Sequence, residues 1–108
     1  MPKLLLKLDF NSHRLGPGKI TLLEAIIETG SISAAAKTMD MSYRRAWILI
    51  DELNKMFAKP CVESATGGIG GGGAKVTAFG KQVLNAYKKF ETQCTKVAKA
   101  EFRFLSSF

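Results

Sequence analysis

The stretch Ser31-Ile-Ser-Ala-Ala-Ala-Lys-Thr-Met-Asp-Met-Ser-Tyr-Arg-Arg-Ala-Trp47 predicts two helices joined by a tight turn. Ser31 is a good N-cap for a short, alanine-rich helix over residues 32–39. Ser42 is placed to cap a second helix over about residues 43–55. Apolar residues recur every three or four positions in this second helix, so we expect one of its faces to enter a core.

The connection between these helices has the features of a helix-turn-helix. Close packing of two such helices needs small residues, and Ala35 and Ala36 supply them. Met41 is placed to fill the turn as an apolar plug. Asp40 stands where glycine is usual, and aspartate adopts a left-handed backbone at modest cost. We therefore predict a helix-turn-helix over about residues 31–56.

The first turn of the second helix is polar and basic, as a helix that reads DNA requires. Arg44 and Arg45 are suited to forked hydrogen bonds with guanine, and Ser42 and Tyr43 to contacts with phosphates or bases. Ile48 lies off the apolar stripe, where it would touch a thymine methyl group or pack on the preceding helix. An ordinary helical pair with two surface arginines would give the same pattern.

Upstream, the sequence predicts one strand, one loop and one helix. Leu4 to Asp9 alternates between apolar and polar residues, which is typical of a half-buried strand. Residues 11–19 contain Ser, Gly and Pro and are predicted as a loop. Leu22, Leu23, Ile26 and Ile27 predict a helix from about Pro17 to Thr29, with Gly30 as its stop signal.

Downstream of Pro60, two short strands flank a glycine-rich segment. The strands are predicted at residues 61–64 and 75–77, and six of the seven residues from Gly67 to Gly73 are glycine. A hairpin beside a helix-turn-helix is typical of a wing, whose glycines let backbone amides approach phosphates. A disordered linker is the alternative interpretation.

The same glycines match GxGxxG at Gly68, Gly70 and Gly73, but we do not predict a nucleotide site. The dinucleotide motif opens directly onto a helix, whereas a second strand is predicted here. Ala74 separates Gly73 from Lys75, so the Gly-Lys-Ser/Thr of a phosphate-binding P-loop is missing.

From Ala78 to about Leu105 the sequence predicts one long helix. Its apolar stripe continues beyond what a small core needs, and an apolar C-terminal end follows. The stripe comprises Phe79, Val83, Ala86, Phe90, Cys94 and Val97, and the end comprises Phe102, Phe104, Leu105 and Phe108. Such a seam often pairs with another helix. The predicted fold class is therefore mostly α with a small β-hairpin wing: a single winged helix-turn-helix domain over residues 1–108, its wing at about 61–77 and a long C-terminal dimerisation helix at about 78–105.

The composition favours an anionic partner. The 108 residues include 16 Lys and Arg against 9 Asp and Glu, a formal net charge of +7. The single histidine, His13, is expected in a surface loop, and no CxxC spacing suggests zinc. Cys61 and Cys94 are expected to be reduced and buried in a cytoplasmic protein. No membrane span, catalytic set or cofactor is predicted.

Four segments carry a family resemblance. They are Gly30 to Lys37, Met41 to Trp47, Ala65 to Ala74 and Val76 to Gly80. Together they resemble the N-terminal domain of ModE-type, molybdate-responsive transcriptional regulators, a relative of the LysR-type winged helix. The likeness extends from about Ile20 to Tyr87.

The resemblance implies a regulator that binds double-stranded DNA as a homodimer joined through its first and last helices. It implies Ser42 to Arg45 at the major groove, Trp47 as a packing residue behind them, and the loop from Gly67 to Gly73 as the wing. ModE-type regulators carry C-terminal domains that bind molybdate or tungstate. This chain ends at Phe108, so molybdate binding is not expected here.

The residues expected to contact DNA extend from the first helix of the pair to the wing. They are Ser31, Ser33, Lys37, Ser42, Tyr43, Arg44, Arg45, Ile48, Thr66, Gly68, Gly70, Gly71, Gly72 and Lys75, with Lys19 and Lys81 as further candidates for phosphate contacts. The alternatives are an RNA-binding winged helix, a protein-interaction or dimerisation module that does not bind DNA, and a small-oxyanion binder that uses the glycine loop.

Overall fold

The computed structural model describes residues 4–65 and 73–105. Its elements, in chain order, are β1 (Leu8–Phe10), β2 (His13–Leu15), α1 (Pro17–Thr29), α2 (Ile32–Thr38), α3 (Tyr43–Met56), β3 (Val62–Ser64), β4 (Ala74–Val76) and α4 (Ala78–Glu101). Helices α2 and α3 form the helix-turn-helix, and β3 and β4 pair as the antiparallel wing. The predicted fold class, a mostly helical winged helix-turn-helix, is confirmed.

The core lies between α1, the helix-turn-helix and the base of the wing. Leu22, Leu23 and Ile26 of α1 are fully buried, and burying each such side chain stabilises the fold by about 1.5–3 kcal/mol. Gly30 ends α1 in a left-handed conformation, with φ at 68°, as its stop signal predicts. Ile27 was expected on the buried stripe, but it is 45% exposed because it lies at the edge of the core-facing side.

The turn between α2 and α3 has the predicted construction. Ala35 and Ala36 are buried where the helices meet. Asp40 adopts a left-handed backbone with φ at 53°, and the Met41 amide then donates to the carbonyl of Ala36 at 3.0 Å. The Met41 side chain packs against the core. These residues fix the orientation of α3 relative to α2.

The N-terminal region differs from the prediction, because residues 8–15 form a hairpin. Strands β1 and β2 pair in antiparallel register across a two-residue turn in which Asn11 and Ser12 both have positive φ. That backbone is the turn that suits the twist of a two-residue hairpin, and asparagine adopts it readily. The Asn11 side chain also donates to the carbonyl of Met56 at 2.6 Å, which holds the hairpin against α3. His13 therefore belongs to a strand and is half-buried, not in an exposed loop.

The wing is attached to α3 and to the junction between α1 and α2. Asn54 of α3 accepts hydrogen bonds from the amides of Cys61 and Val62 and donates to the Val62 carbonyl. At the other strand, the Ala74 amide donates to the carbonyl of Gly30 at 3.1 Å. The predicted contacts at Thr66, Gly68, Gly70, Gly71 and Gly72 lie outside the described residues.

Helix α4 starts at the predicted residue and ends at Glu101, four residues before the predicted end. Its N-cap is Thr77, whose hydroxyl accepts from the Gly80 amide at 2.9 Å. Tyr87 is the last buried residue of α4 in the described part of the chain. Its hydroxyl donates to the carbonyl of Leu6 at 2.6 Å and thereby ties the N-terminal segment to the helix.

Candidate nucleic-acid interface

Helix α3 buries one face and presents the opposite face to solvent. Its buried face consists of Ala46, Leu49, Ile50, Leu53 and Met56. At 100° per residue, Arg44 and Ile48 lie at the centre of the exposed face, while Arg45 lies towards the N-terminal hairpin. Ile48 is 41% exposed, so it does not pack on the preceding helix as a core residue would.

The N-terminus of α3 is open to solvent and capped by its own serine. The Ser42 hydroxyl accepts a hydrogen bond from the Arg45 amide at 3.0 Å, while Ser42 and Tyr43 are exposed. The remaining amides of the first turn and the helix dipole make this end favourable for anions.

The helix-turn-helix carries three exposed cations at or near this end of α3 in sequence. Arg44, Arg45 and Lys37 form no ion pair within 4 Å in the described part of the chain. By contrast, Lys55 at the other end of α3 pairs with Asp51 at 2.8 Å. The positive potential of α3 is therefore concentrated at its N-terminal half.

Ser31 is a correction to the predicted set of DNA contacts. It is fully buried, and its hydroxyl caps α2 by accepting from the Ala34 amide at 3.2 Å. The bridge between Ser31 and Gly73 further encloses it. Ser33, two residues on, is half-buried.

Lys19 is a second correction, because it is not available to a phosphate. The ammonium group is buried and lies 2.8 Å from a carboxylate oxygen of Glu52 and 2.8 Å from the carbonyl of Arg14. This hydrogen bond from Lys19 lowers the pKa of the Glu52 carboxyl below its ordinary value of 4.5, although partial burial opposes the shift. The pair joins α1 to α3 behind the exposed face.

Trp47 departs from the packing role that the family resemblance implied. Its side chain is 42% exposed and stands edge-on to Tyr43, with ring centroids 6.3 Å apart and planes at 78°. Both rings lie on the side of α3 that faces the wing. Periodicity could have indicated this position, since Trp47 lies outside the core-facing stripe.

The wing contributes one described candidate, Lys75. It is exposed, and its ammonium group lies 3.5 Å from Glu63 on the neighbouring strand. Both side chains are about half exposed or more, so this is a surface pair of small energy that a phosphate could replace. Lys81, at the start of α4, is exposed as well.

The two cysteines are free thiols. Cys61 is buried beneath the wing, and this burial raises the pKa of its thiol to about 11, so it is protonated near neutral pH. Cys94 is only half-buried, which corrects the expectation that both would be buried. Within residues 4–65 and 73–105, no group of three or more His, Cys, Asp or Glu side chains could hold a metal ion.

A helix-turn-helix with an open, basic N-terminus on its second helix and a hairpin beside it defines a class of DNA-binding regulators. The sequence comparison gives the family. The profile of the bacterial regulatory helix-turn-helix proteins of the lysR family matches residues 18–81. The chain belongs to this family.

Individual relatives confirm the resemblance to ModE-type regulators. The chain is 45% identical to the DNA-binding transcriptional dual regulator ModE of Escherichia coli K12 over 71 residues, which are 66% of this chain and 27% of that protein. It is 40% identical to the molybdenum-pterin-binding protein MopB of Rhodobacter capsulatus over 90 residues, 83% of this chain and 33% of that protein. The chain thus spans about a third or less of the relatives that it matches.

No helix in the described ranges combines the length and the apolar character that crossing a membrane requires.

Proposed function

We propose that this chain binds double-stranded DNA in a sequence-specific manner and regulates transcription. The observation that carries the proposal is the exposed N-terminus of α3, where Arg44 and Arg45 have no ion-pair partner within 4 Å in the described part of the chain. Guanidinium groups at this position suit guanine edges in the major groove. A role on chromosomal DNA implies the cytoplasm as its location.

The neighbouring groups support contacts with the DNA backbone. Ser42 and Tyr43 flank the arginines, and Lys37 extends the basic surface onto α2. Lys75 would contact a phosphate of the DNA strand that passes the wing. Its weak surface ion pair with Glu63 would then break. Ile48 offers an apolar surface for a thymine methyl group between these polar contacts. Ser31 has no part in the proposal.

We further propose that the protein acts as a homodimer. Beyond Tyr87, the described part of α4 has no buried residue, yet it carries an apolar stripe that includes Phe90 and Val97. One isolated copy would leave this stripe in water, whereas a second copy would bury it. Helix α1 adjoins α4 through the Glu24–Lys88 ion pair at 3.4 Å and leaves Ile27 exposed, which supports its inclusion in the interface.

The test is fluorescence anisotropy with a labelled duplex selected from a random-sequence pool. Affinity should fall with rising salt, with a log–log slope near −0.9 for each phosphate contacted. R44A and R45A should each lower affinity for the selected site by about 1–3 kcal/mol and relax base preference. K59A is the matched control, because it removes one exposed cation at the opposite end of α3.

Three results would contradict the proposal. Equal affinity of wild type, R44A and R45A for the selected site would mean that α3 does not read the bases. Absence of duplex binding at low salt, or preference for structured RNA in competition, would favour the protein-interaction or RNA-binding alternative.

A further inference from the structure

A groove lies between α3 and the wing, and Trp47 at this groove has no role in the function described so far. Its volume is about 260 Å³, and it is lined on one side by Tyr43, Trp47 and Ile50 and on the other by Val62, Glu63 and Ser64. Trp47 is the single tryptophan of the chain and lies 42% exposed at this groove. In the described part of the chain its indole N–H has no hydrogen-bond acceptor.

The groove has a fixed width, because both of its walls are tied together at the base. Asn54 holds the start of β3 through three hydrogen bonds of 2.8–3.1 Å. The opposite strand is attached to the α1–α2 junction by the Gly30–Ala74 hydrogen bond. A partner that contacts α3 and the wing at once would therefore meet a preformed channel between them.

We propose that this groove receives the sugar–phosphate backbone of one DNA strand, with Trp47 as its principal contact. The inference rests on the proposed function: if α3 lies in the major groove and the wing contacts the adjacent backbone, the strand between them must cross this channel. The exposed apolar face of the indole ring can pack against a deoxyribose, and its N–H is a donor that no acceptor in the described part of the chain satisfies. A phosphate oxygen is a strong acceptor for it.

Glu63 sharpens the inference, because it is the one acid that lines this groove in the described part of the chain. Its carboxylate is only partly compensated by Lys75 at 3.5 Å. A phosphate entering the groove would compete for Lys75 and be repelled by Glu63. Removing this negative charge should therefore strengthen DNA binding. Because the same change also frees Lys75 for the strand that passes the wing, the quenching of Trp47 decides whether DNA enters the groove.

The single tryptophan makes a direct test possible. Anisotropy of a labelled duplex first establishes binding, and acrylamide quenching of Trp47 emission is then measured with and without saturating unlabelled duplex. We expect the quenching constant to fall about twofold on binding, as the exposed half of the side chain becomes covered. W47F should weaken binding to the selected site and to random duplex by the same factor, about three- to tenfold, because backbone contacts carry no sequence information. E63Q should tighten both.

The outcomes separate this inference from the function on which it rests. If anisotropy shows no duplex binding, the proposed function fails. If duplex binds while the quenching constant is unchanged, the groove is empty in the complex and the inference is overturned. It is also overturned if W47F weakens only the selected site, since Trp47 would then read a base. W47Y, which keeps an aromatic ring and a donor, serves as the conservative variant and should retain more affinity than W47F.

Discussion

At the scale of single residues, Ser31 and Ser42 look alike in the sequence and differ in the fold. Each caps a helix by accepting a hydrogen bond from the amide three residues later. Ser42 is exposed, whereas Ser31 is enclosed by its contacts with Thr29 and Gly73. The capping role follows from local sequence, but burial depends on the wing, which is distant in sequence. Local reasoning therefore identified both caps and wrongly assigned DNA contact to Ser31.

Gly80 is a position where one methyl group should be costly. A Cβ there would lie 2.3 Å from the carbonyl oxygen of Cys61 and 2.7 Å from a methyl carbon of Val76. The carbonyl belongs to the backbone beneath the wing, so relief requires moving α4 away from β3. We expect G80A to lower the free energy of unfolding by about 1–3 kcal/mol, measured by urea denaturation followed by circular dichroism.

Gly18 provides the control for this substitution. A Cβ at Gly18 in α1 meets nothing within 4 Å, so G18A should leave stability unchanged or raise it by up to about 1 kcal/mol. A G80A protein as stable as G18A would mean that α4 packs less closely on the wing than the structure indicates.

The Lys19–Glu52 pair should make stability depend on pH on the acid side. The pKa of Glu52 is lower in the folded protein than its ordinary value of 4.5, chiefly through the hydrogen bond from Lys19. Its contribution is therefore present above pH 4.5 and is lost as the pH falls through the folded pKa. E52Q should be less stable than wild type at pH 7, and the difference should shrink as the pH falls below 4.5. Parallel stability curves for the two proteins from pH 7 to pH 3 would contradict this account.

Sequence reasoning could not find this pair. Lys19 stands within a segment of Gly, Pro and Lys that is typical of a surface loop, and Glu52 lies 33 positions later in α3. Only the packing of α1 against α3 brings them within 2.8 Å. Trp47 illustrates the opposite case, because its exposed position follows from the periodicity of α3 and was obscured by the packing role that the family resemblance implied.

At the scale of elements, helical periodicity predicted the secondary structure more completely than strand periodicity did. Helices α1 and α3 begin at the predicted residues, since N-cap, proline and stop signals are local. The hairpin of β1 and β2 was missed because each strand has three residues, which is too short for an alternating apolar and polar pattern to be recognised. Its one local signal was Asn11-Ser12 between two apolar-containing segments.

The attachment of α3 to the wing depends on Asn54. Replacing it by alanine removes its hydrogen bonds with Cys61 and Val62, leaving partly buried amides without acceptors. We expect N54A to lower the free energy of unfolding by about 2–3 kcal/mol. N85A, at an exposed position of α4, is the matched control and should change stability by less than about 0.5 kcal/mol. Equal stability of both variants would mean that packing alone holds the wing.

At the scale of the whole molecule, α4 makes the protein elongated. The principal extents are 52 × 28 × 21 Å, and 24 residues of α4 span about 36 Å. The radius of gyration is 15.7 Å, against about 13 Å for a compact chain of this length. The excess comes from the half of α4 beyond Tyr87, whose apolar stripe contributes nothing to the core of one copy.

The dimer proposal predicts that a charge on this stripe will separate the two copies. Val97 is 61% exposed in the single chain, so V97E should leave the fold intact. In a dimer the carboxylate would be buried without a partner, at a cost of several kcal/mol. We expect wild type to sediment as a dimer and V97E as a monomer. T92E makes the same change of charge about 140° around the helix and should remain dimeric.

DNA binding supplies the second readout of the same variant. A symmetric dimer reads two half-sites about 34 Å apart, so the wild type should lose most of its affinity when one half-site is scrambled. V97E retains Arg44 and Arg45, so its affinity for an isolated half-site should match that of the wild type. The higher affinity that the wild type has for the paired site should be lost in V97E. A V97E protein that still sediments as a dimer would exclude α4 as the interface. A monomeric wild type with full affinity for a single half-site would exclude the dimer and leave the reading role of α3 intact.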